Sequence, residues 1–441
     1  MSSDTQSFQG SLLANVLSDD AFFPTPPKTM AEAGLSESFV ESLVCKHLLQ
    51  LGTSSGRNLA SHIALPFGTL EPLFATMRTH QLLVHAGSAP FNDYYYTLTD
   101  KGRQQAPIYA LACAYIGPAP VPLIDYVTSV DAQAISAEAV RRDKFESAFR
   151  DISVSMELFE KLGPAVNSGA GMFLYGAPGN GKSTLAKKIT MCFGQSIWIP
   201  HAVIDDGQLI KVFDASYHLP IKSSDSGIVK SRESDTRWTR VRRPTVVVGG
   251  ELTMDNLEIR HDPRSNISEA PLQMKSNCGC LLIDDFGRQR IAPAELLNRW
   301  IVPLENRCDF LTLSTGKKIH VPFEQLIIFS TNLEPAELVD EAFLRRIPYK
   351  IEIGDPDEAE FTHLFELAAA AQGIEFRADA IDHLLARHYR PVRRAMRRCH
   401  PRDLLRQICA YCTYRDLPAE MRPEYFDRVA SSYFAMVLAK K

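Results

Sequence analysis

Between Gly176 and Thr184 the chain reads GAPGNGKST: three glycines and a proline, then a lysine and two hydroxyls. Gly176, Gly181, Lys182 and Ser183 fit the spacing G-x-x-x-x-G-K-[ST], with an apolar "FLY" before it and a helix-like segment after it. Glycines let successive backbone N–H groups turn inward around a phosphate, and the helix that follows points its positive end at the same place. The spacing therefore predicts a phosphate cradle made of Gly176, Ala177, Pro178, Gly179, Asn180, Gly181, Lys182, Ser183 and Thr184. In it Lys182 neutralises the outer phosphates of a nucleotide and the Ser183 hydroxyl joins a Mg²⁺ shell.

About a hundred residues later comes "CGCLLIDDFGRQ", an apolar strand ending in Asp284 and Asp285. Mg²⁺ takes hard oxygen ligands and keeps several waters, so one carboxylate at a strand tip suits its second protein contact. Asp284 has that place. Asp285 stands where a glutamate commonly orients an attacking water, and it is one methylene shorter.

The elements that must position these groups follow in order. "QLIIFSTNLEP" reads as an apolar strand finishing at Asn332. "DEAFLRRIPYKIEI" sets Arg345 and Arg346 after a short helix, and "RRCHPRDLLRQI" puts Arg402 at a helix start. This order of phosphate loop, acidic strand tip, strand-end asparagine, paired arginine and later arginine resembles the AAA+ ATPases over roughly residues 145–441. The resemblance implies an ATP- and Mg²⁺-dependent hydrolase. In it Asn332 holds the lytic water or the γ-phosphate, Arg345 and Arg346 are candidate arginine fingers reaching a neighbour's ATP, and Arg402 links the γ-phosphate to a helical lid. It also implies a homo-oligomer, a ring and often a hexamer. The chain has no NKxD-type guanine reader and no LSGGQ-like signature, which speaks against GTPases and transporter ATPases.

Upstream, "SESFVESLVCKHLLQLG", "SGRNLASHIAL" and "PFGTLEPLFATMRTHQLL" read as three short helices. They are followed by "LLVHAG" and "DYYYTLTDKGRQQA", two strand-like stretches. The pattern resembles a winged-helix domain. Residues 37–105 hold five Lys/Arg against five acids. A neutral surface is a poor phosphate neutraliser, which favours protein docking over DNA reading. Two further segments bear on class. Residues 307–325 predict a hairpin turning at Ser314-Thr315-Gly316, similar in placement to the AAA+ branch with a hairpin before the strand-end asparagine. In 205–276, six Lys/Arg surround Trp238, in either a substrate-contacting insert or a surface excursion. The lid carries eight arginines in residues 387–406, a candidate phosphate track.

The chain has 441 residues, 23% of them charged, and a formal net charge of −4. Nothing global calls for nucleic acid, and neither a membrane span nor a signal peptide is expected. Nine scattered cysteines predict reduced thiols in a cytoplasm. Cys409-Ala-Tyr-Cys412, with Cys399 and His400 upstream, has the spacing of a half zinc site, but the segment reads as helical and no second CxxC exists.

The fold expected is α/β: a P-loop core with a parallel sheet plus a helical lid, preceded by a small α+β winged-helix-like domain. The boundaries expected are a disordered tail at 1–35, the small domain at 36–110, a proline-rich neck and linker at 111–144, the core at 145–355 and the lid at 356–441. Over nearly its full length the chain also looks like a group of bacterial predicted ATPases described as chaperone-like and associated with Flp pilus assembly, on "YIGPAPVPL", "LLNRWIVPLENR" and "DLVDEAFLRRI". Three functions stay open: an ATPase that remodels or assembles proteins, with the small domain as adaptor; a DNA-acting loader, regulator or transposition helper; and a slow nucleotide switch that scaffolds partners. The balanced charge favours the first.

Overall fold

Ser36, Ser55, Thr99, Ser155 and Asp357 each stand just before a helix, and each side chain accepts a hydrogen bond from the backbone three residues on. Such caps satisfy amide groups that the first turn leaves orphaned and contribute about 1 kcal/mol each. They fix where helices Glu37–Leu51, Gly56–Ile63, Asp100–Ala112, Met156–Ser168 and Glu358–Gln372 begin. The computed structural model describes residues 22–135, 140, 142–149, 155–193, 196–221, 233–339 and 341–434. The chain divides into two compact units, each discontinuous in sequence.

The first unit comprises Met1–Ala139, Phe193–Leu281 and Glu295–Leu326. Helices Glu37–Leu51, Gly56–Ile63 and Phe67–Thr79 pack beside a three-stranded antiparallel sheet in which Asp93–Leu98 lies between Thr53–Ser55 and Leu83–Ala89. Val40, Leu43, Leu59, Ile63, Phe74 and Leu98 are buried in its core, which also takes in Ala202 and Leu209. A second sheet of five strands runs Arg260–Asp262, Ile267–Glu269, Gln208–Lys211, Ala202–Asp205, Val121–Pro122. The hairpin expected at 307–325 is present. Cys308–Thr312 pairs antiparallel with Lys318–Pro322, and its turn is tied down by Gln208 on Ser314 and by Lys317 on Asp205.

Three expected boundaries are corrected. Residues 22–35 are packed rather than loose: Ala33 is fully buried, Thr69 donates to the Pro27 carbonyl, Asp235 N–H donates to the Pro24 carbonyl, and Phe22 meets Trp238. Residues 1–21 of the expected tail lie outside the described residues. The proline-rich stretch is not a free neck either. Tyr115, Ala119, Val121 and Tyr126 are buried, and Val121–Pro122 joins the second sheet beside Val203 and Ile204. Prolines read as exposed and extended, but the apolar residues between them supply the burial that holds the segment. The core expected at 145–355 likewise gives up Phe193–Leu281 and Glu295–Leu326 to the first unit. Residues 222–232 of the long insert lie outside the described residues.

The second unit comprises Val140–Cys192, Leu282–Ala294 and Ile327–Lys441. The sheet that serves the site sets Cys280–Ile283, Leu326–Thr331, Met172–Tyr175 and Tyr349–Glu352 side by side in that order. Met172–Tyr175 is parallel to both of its neighbours, with Met172 opposite Ile328 on one side and Tyr349 on the other. Cys280–Ile283 and Leu326–Thr331 are buried throughout, as strands covered on both faces are, whereas the edge strand Tyr349–Glu352 exposes Lys350 and Glu352. The helical part packs Glu358–Gln372, Ala378–Leu384, His400–Arg415 and Pro423–Tyr433 around Phe361, Phe365, Leu404, Ile408 and Phe426. The molecule is thus mixed α/β with a separate helical cluster, as the sequence predicts. Among the described residues no helix is long and apolar enough to cross a membrane.

Candidate functional site

Parallel strands all point their carboxyl ends to one edge of a sheet, so loops leaving those ends converge there. Tyr175 leads into the glycine loop, Ile283 into Asp284, Thr331 into Asn332, and Glu352 into Ile353–Asp355. Gly176, Gly179 and Gly181 all take positive φ, and Gly181 caps helix Lys182–Thr190. The loop is therefore bent by glycine at three points and delivers Lys182 to a helix N-terminus.

Lys182 is 7% exposed. Its ammonium donates to the carbonyls of Gly176 at 2.8 Å and Ala177 at 3.0 Å, and to Asn332 Oδ1 at 2.7 Å. Burial pulls its pKa below the ordinary lysine value, against the opposing charges of Asp284 and Asp285. Ser183 Oγ donates to Asp284 Oδ2 at 2.7 Å. Asn332 also donates through Nδ2 to Asp285 Oδ1 at 3.0 Å. Asp285 has a left-handed backbone, φ 51°, a conformation that aspartate tolerates better than most residues. The five residues singled out for phosphate, metal and water chemistry are thus brought together from three separate stretches of chain.

These groups border a cavity of about 590 Å³. Pro178 to Leu185 form one side, and Leu158, Ile353, Leu364, Leu367, Ala368 and Ala371 form an apolar wall. Leu364, Leu367, Ala368 and Ala371 recur at three- and four-residue spacing along helix Glu358–Gln372, so they share a face. Leu367 is 40% exposed on this face.

Arg402 lines the cavity from the first turn of helix His400–Arg415, with its side chain 65% exposed and paired to Asp403 at 2.9 Å. Arg345 and Arg346 end helix Glu341–Arg346 and do not line the cavity. Arg345 is exposed and Arg346 is half-buried. The arginine-rich stretch is largely committed within the unit. Arg387 pairs with Asp427, Arg390 with Glu358, Arg397 with Asp355, Arg398 with Glu360, and Arg394 lies over the Phe434 ring. Cys409 and Cys412 sit on helix His400–Arg415, where Cys412 is buried and Cys409 bonds Gln372.

Other residues of the site carried no signal strong enough to be singled out. Gln289 Nε2 donates to the carbonyls of Asp284 and Asp285, and its Oε1 accepts from Gly287 N–H, so it braces the acidic turn. Asp355 accepts from Asn180 of the glycine loop at 2.7 Å. Leu364, Leu367, Ala368 and Ala371 recur at helical spacing, and such periodicity alone reads as core.

The Ser183 hydroxyl and the Asp284 carboxylate, side by side, are hard oxygen donors of the kind Mg²⁺ takes. Among the described residues, no group of three or more His, Cys, Asp or Glu is arranged to hold a metal by itself. A single carboxylate with a hydroxyl suits a cation whose remaining ligands are phosphate oxygens and water.

A family model described as a domain of unknown function, DUF8689, matches residues 357–432. No curated protein matches the chain. Among solved structures, NtrX from Brucella abortus in complex with ADP superposes with a TM-score of 0.38 and 15% identity, over 61% of this chain and 53% of that one. The same protein with ATP gives 0.36 and 16%, over 65% and 61%. The Thermotoga maritima RuvB Holliday junction branch migration motor gives 0.34 and 14%, over 66% and 70%. The chain spans about half the length of the first NtrX chain.

Proposed function

We propose that this protein is an AAA+ ATPase that binds and hydrolyses MgATP. We propose further that it works as a homo-oligomeric ring, and that it remodels or assembles a protein substrate engaged through a winged-helix-like N-terminal module. The observation that carries the reading is the convergence of Lys182, Ser183, Asp284, Asp285 and Asn332 on one cavity that Leu158, Ile353, Leu364 and Leu367 also line. A triphosphate on a flat heterocycle asks for this pairing of a cationic, amide-lined end and a greasy slot.

In this reading Lys182 meets the β- and γ-phosphates, and Leu158, Ile353, Leu364 and Leu367 cover the base. Ser183 and Asp284 hold Mg²⁺, which when bound neutralises charge on the transferring phosphoryl group. Asp285, held by Asn332, accepts the proton of the attacking water. Arg402 approaches the γ-phosphate from the lid. Arg345 and Arg346, off the cavity of their own chain, serve a neighbour's site. Catalysis then comes from positioning and charge stabilisation more than from covalent chemistry.

Protein rather than DNA is favoured as the substrate by two charge arguments. The N-terminal module is balanced, and the lid arginines that would track phosphates are mostly paired with carboxylates of their own unit. The deciding experiment is ATP turnover by the full chain against its own concentration, with and without duplex DNA, with Lys182→Ala as control. Turnover that rises with assembly, ignores DNA and vanishes in the variant supports the proposal. Stimulation by DNA that fades with salt replaces the protein substrate by DNA. Bound nucleotide with negligible turnover at every concentration replaces hydrolysis by a slow switch.

A further inference from the structure

Asn180 is the residue before Gly181-Lys182 and is 2% exposed, so its amide must find partners at both ends. Nδ2 donates to Asp355 Oδ1 at 2.7 Å and to the Ile353 carbonyl at 3.3 Å. Oδ1 accepts from the backbone N–H of Arg398 at 3.3 Å. One residue earlier, the Gly179 carbonyl accepts from Cys399 N–H at 2.9 Å. Asp355 also carries the ion pair to Arg397. Two consecutive loop residues are therefore stitched to Arg398 and Cys399 at the entrance to helix His400–Arg415, and the Asp355 carboxylate joins Asn180 on one side of the seam to Arg397 on the other.

The packing at the seam leaves no slack. A Cβ on Gly179 would stand 2.6 Å from Cys399 Sγ and 3.7 Å from Arg397 Cβ. Arg398, next along, is anchored on Glu360 in the first turn of helix Glu358–Gln372, the helix whose leucines wall the cavity. A shift of the glycine loop must therefore move residues 397–399, and with them Arg402.

We infer that Asp355 is a positioning residue that couples the shape of the phosphate loop to the placement of the lid segment 397–399, and through it sets nucleotide affinity. This deepens the nucleotide reading above and rests on it. The alternative is that Asp355 is only a nearby negative charge. The two differ in sign. Phosphates are repelled by a carboxylate, so neutralising a mere charge tightens nucleotide binding. Removing a positioning group loosens it, because Arg397 is released and the loop loses its brace.

The test uses the full chain and a fluorescent ADP analogue, with affinity read by anisotropy and backbone exchange followed at residues 398 and 399. Binding by the wild type and its loss in Lys182→Ala establish the nucleotide reading independently of Asp355. Given that, Asp355→Asn is expected to weaken ADP about tenfold and to speed exchange of the Arg398 and Cys399 amides. Asn180→Asp, which sets a second carboxylate against Asp355, is expected to weaken ADP similarly. Combining it with Asp355→Asn restores an amide–carboxylate pair and should recover part of the affinity. Equal or tighter ADP binding by folded Asp355→Asn, with exchange unchanged, overturns the inference. So does an Asn180→Asp variant that binds ADP as the wild type does.

Discussion

The Asn332 amide holds Lys182 through its oxygen at 2.7 Å and Asp285 through its nitrogen at 3.0 Å. One side chain at the tip of a buried strand thus sets the distance between the loop cation and the acid proposed to activate water. Asn332→Ala frees both at once. Since misplacing a reacting group by about 1 Å costs about 10²-fold, turnover should fall by that order while KM for ATP moves much less. Steady-state kinetics separates the two, and an effect confined to KM would remove Asn332 from the chemistry.

Asp285 itself is placed by Asn332 and by a backbone bend braced through Gln289. Asp285→Asn keeps the size and much of the hydrogen bonding but cannot take a proton. Turnover should drop about 10²–10⁴-fold with ADP affinity nearly unchanged. Unchanged turnover would mean that another group activates the water.

Arg345 and Arg346 stand off the cavity of their own chain. An arginine finger acting in trans contributes about 10³–10⁵ in rate, so Arg345→Ala/Arg346→Ala protein should be nearly inactive alone. Mixed with wild type, it should alter turnover non-linearly, since each mixed interface lacks a finger on one side. Activity strictly proportional to the wild-type fraction would rule out catalysis across an interface.

Much of the site was legible because its chemistry is tied to residue type at fixed spacing. Glycine is the residue that makes the turns at 176, 179 and 181 without strain, and a lysine and a hydroxyl at a helix start have a recognisable purpose. The helices and the hairpin at 308–322 were legible for a similar reason, since caps and turn residues are local. What was not legible depends on long-range pairing. Asn180 and Asp355 are 175 positions apart, and no local pattern marks either as the other's partner. The unit boundaries failed on the same ground. "YIGPAPVPL" looks like a spacer until a strand from beyond residue 200 pairs with it, and Phe193–Leu281 reads as part of one continuous core until its burial partners are known.

His400 begins the helix that carries Arg402, and its ring lies among Phe361, Tyr433 and Phe434 while bonding Tyr389 at 2.9 Å. Burial, with Arg397 and Arg394 nearby, pulls its pKa down to about 4. An unfolded histidine takes up its proton near pH 6.5, so between that pH and about 4 the unfolded chain binds the proton more readily. Stability from this group is complete above pH 6.5 and is lost as the pH falls toward 4. Thermal midpoints should therefore decline on acidification from pH 7 to 5, and decline less in His400→Gln. An identical pH slope in the variant would assign the acid sensitivity to other groups.

Gly176 and Gly179 are both in left-handed territory, φ 131° and 86°, but the space beside them differs. A Cβ at Gly176 would meet the Ile353 carbonyl at 2.5 Å, and that backbone is fixed by its hydrogen bond to Tyr175. A Cβ at Gly179 would meet Cys399 Sγ at 2.6 Å, a side chain that can be shortened. A positive-φ backbone costs an L-residue about 1–3 kcal/mol in either position. Gly176→Ala should thus abolish measurable ADP binding, and no single side-chain trimming should restore it. Gly179→Ala should weaken ADP at least tenfold through strain plus collision. Adding Cys399→Ala removes the collision and leaves the strain, so the double variant should regain part of the loss but not all of it. Anisotropy titrations of the four variants, with Cys399→Ala alone as reference, read the two contributions separately. If trimming Cys399 gives no recovery, collision with the Cys399 side chain is not what weakens ADP binding in Gly179→Ala.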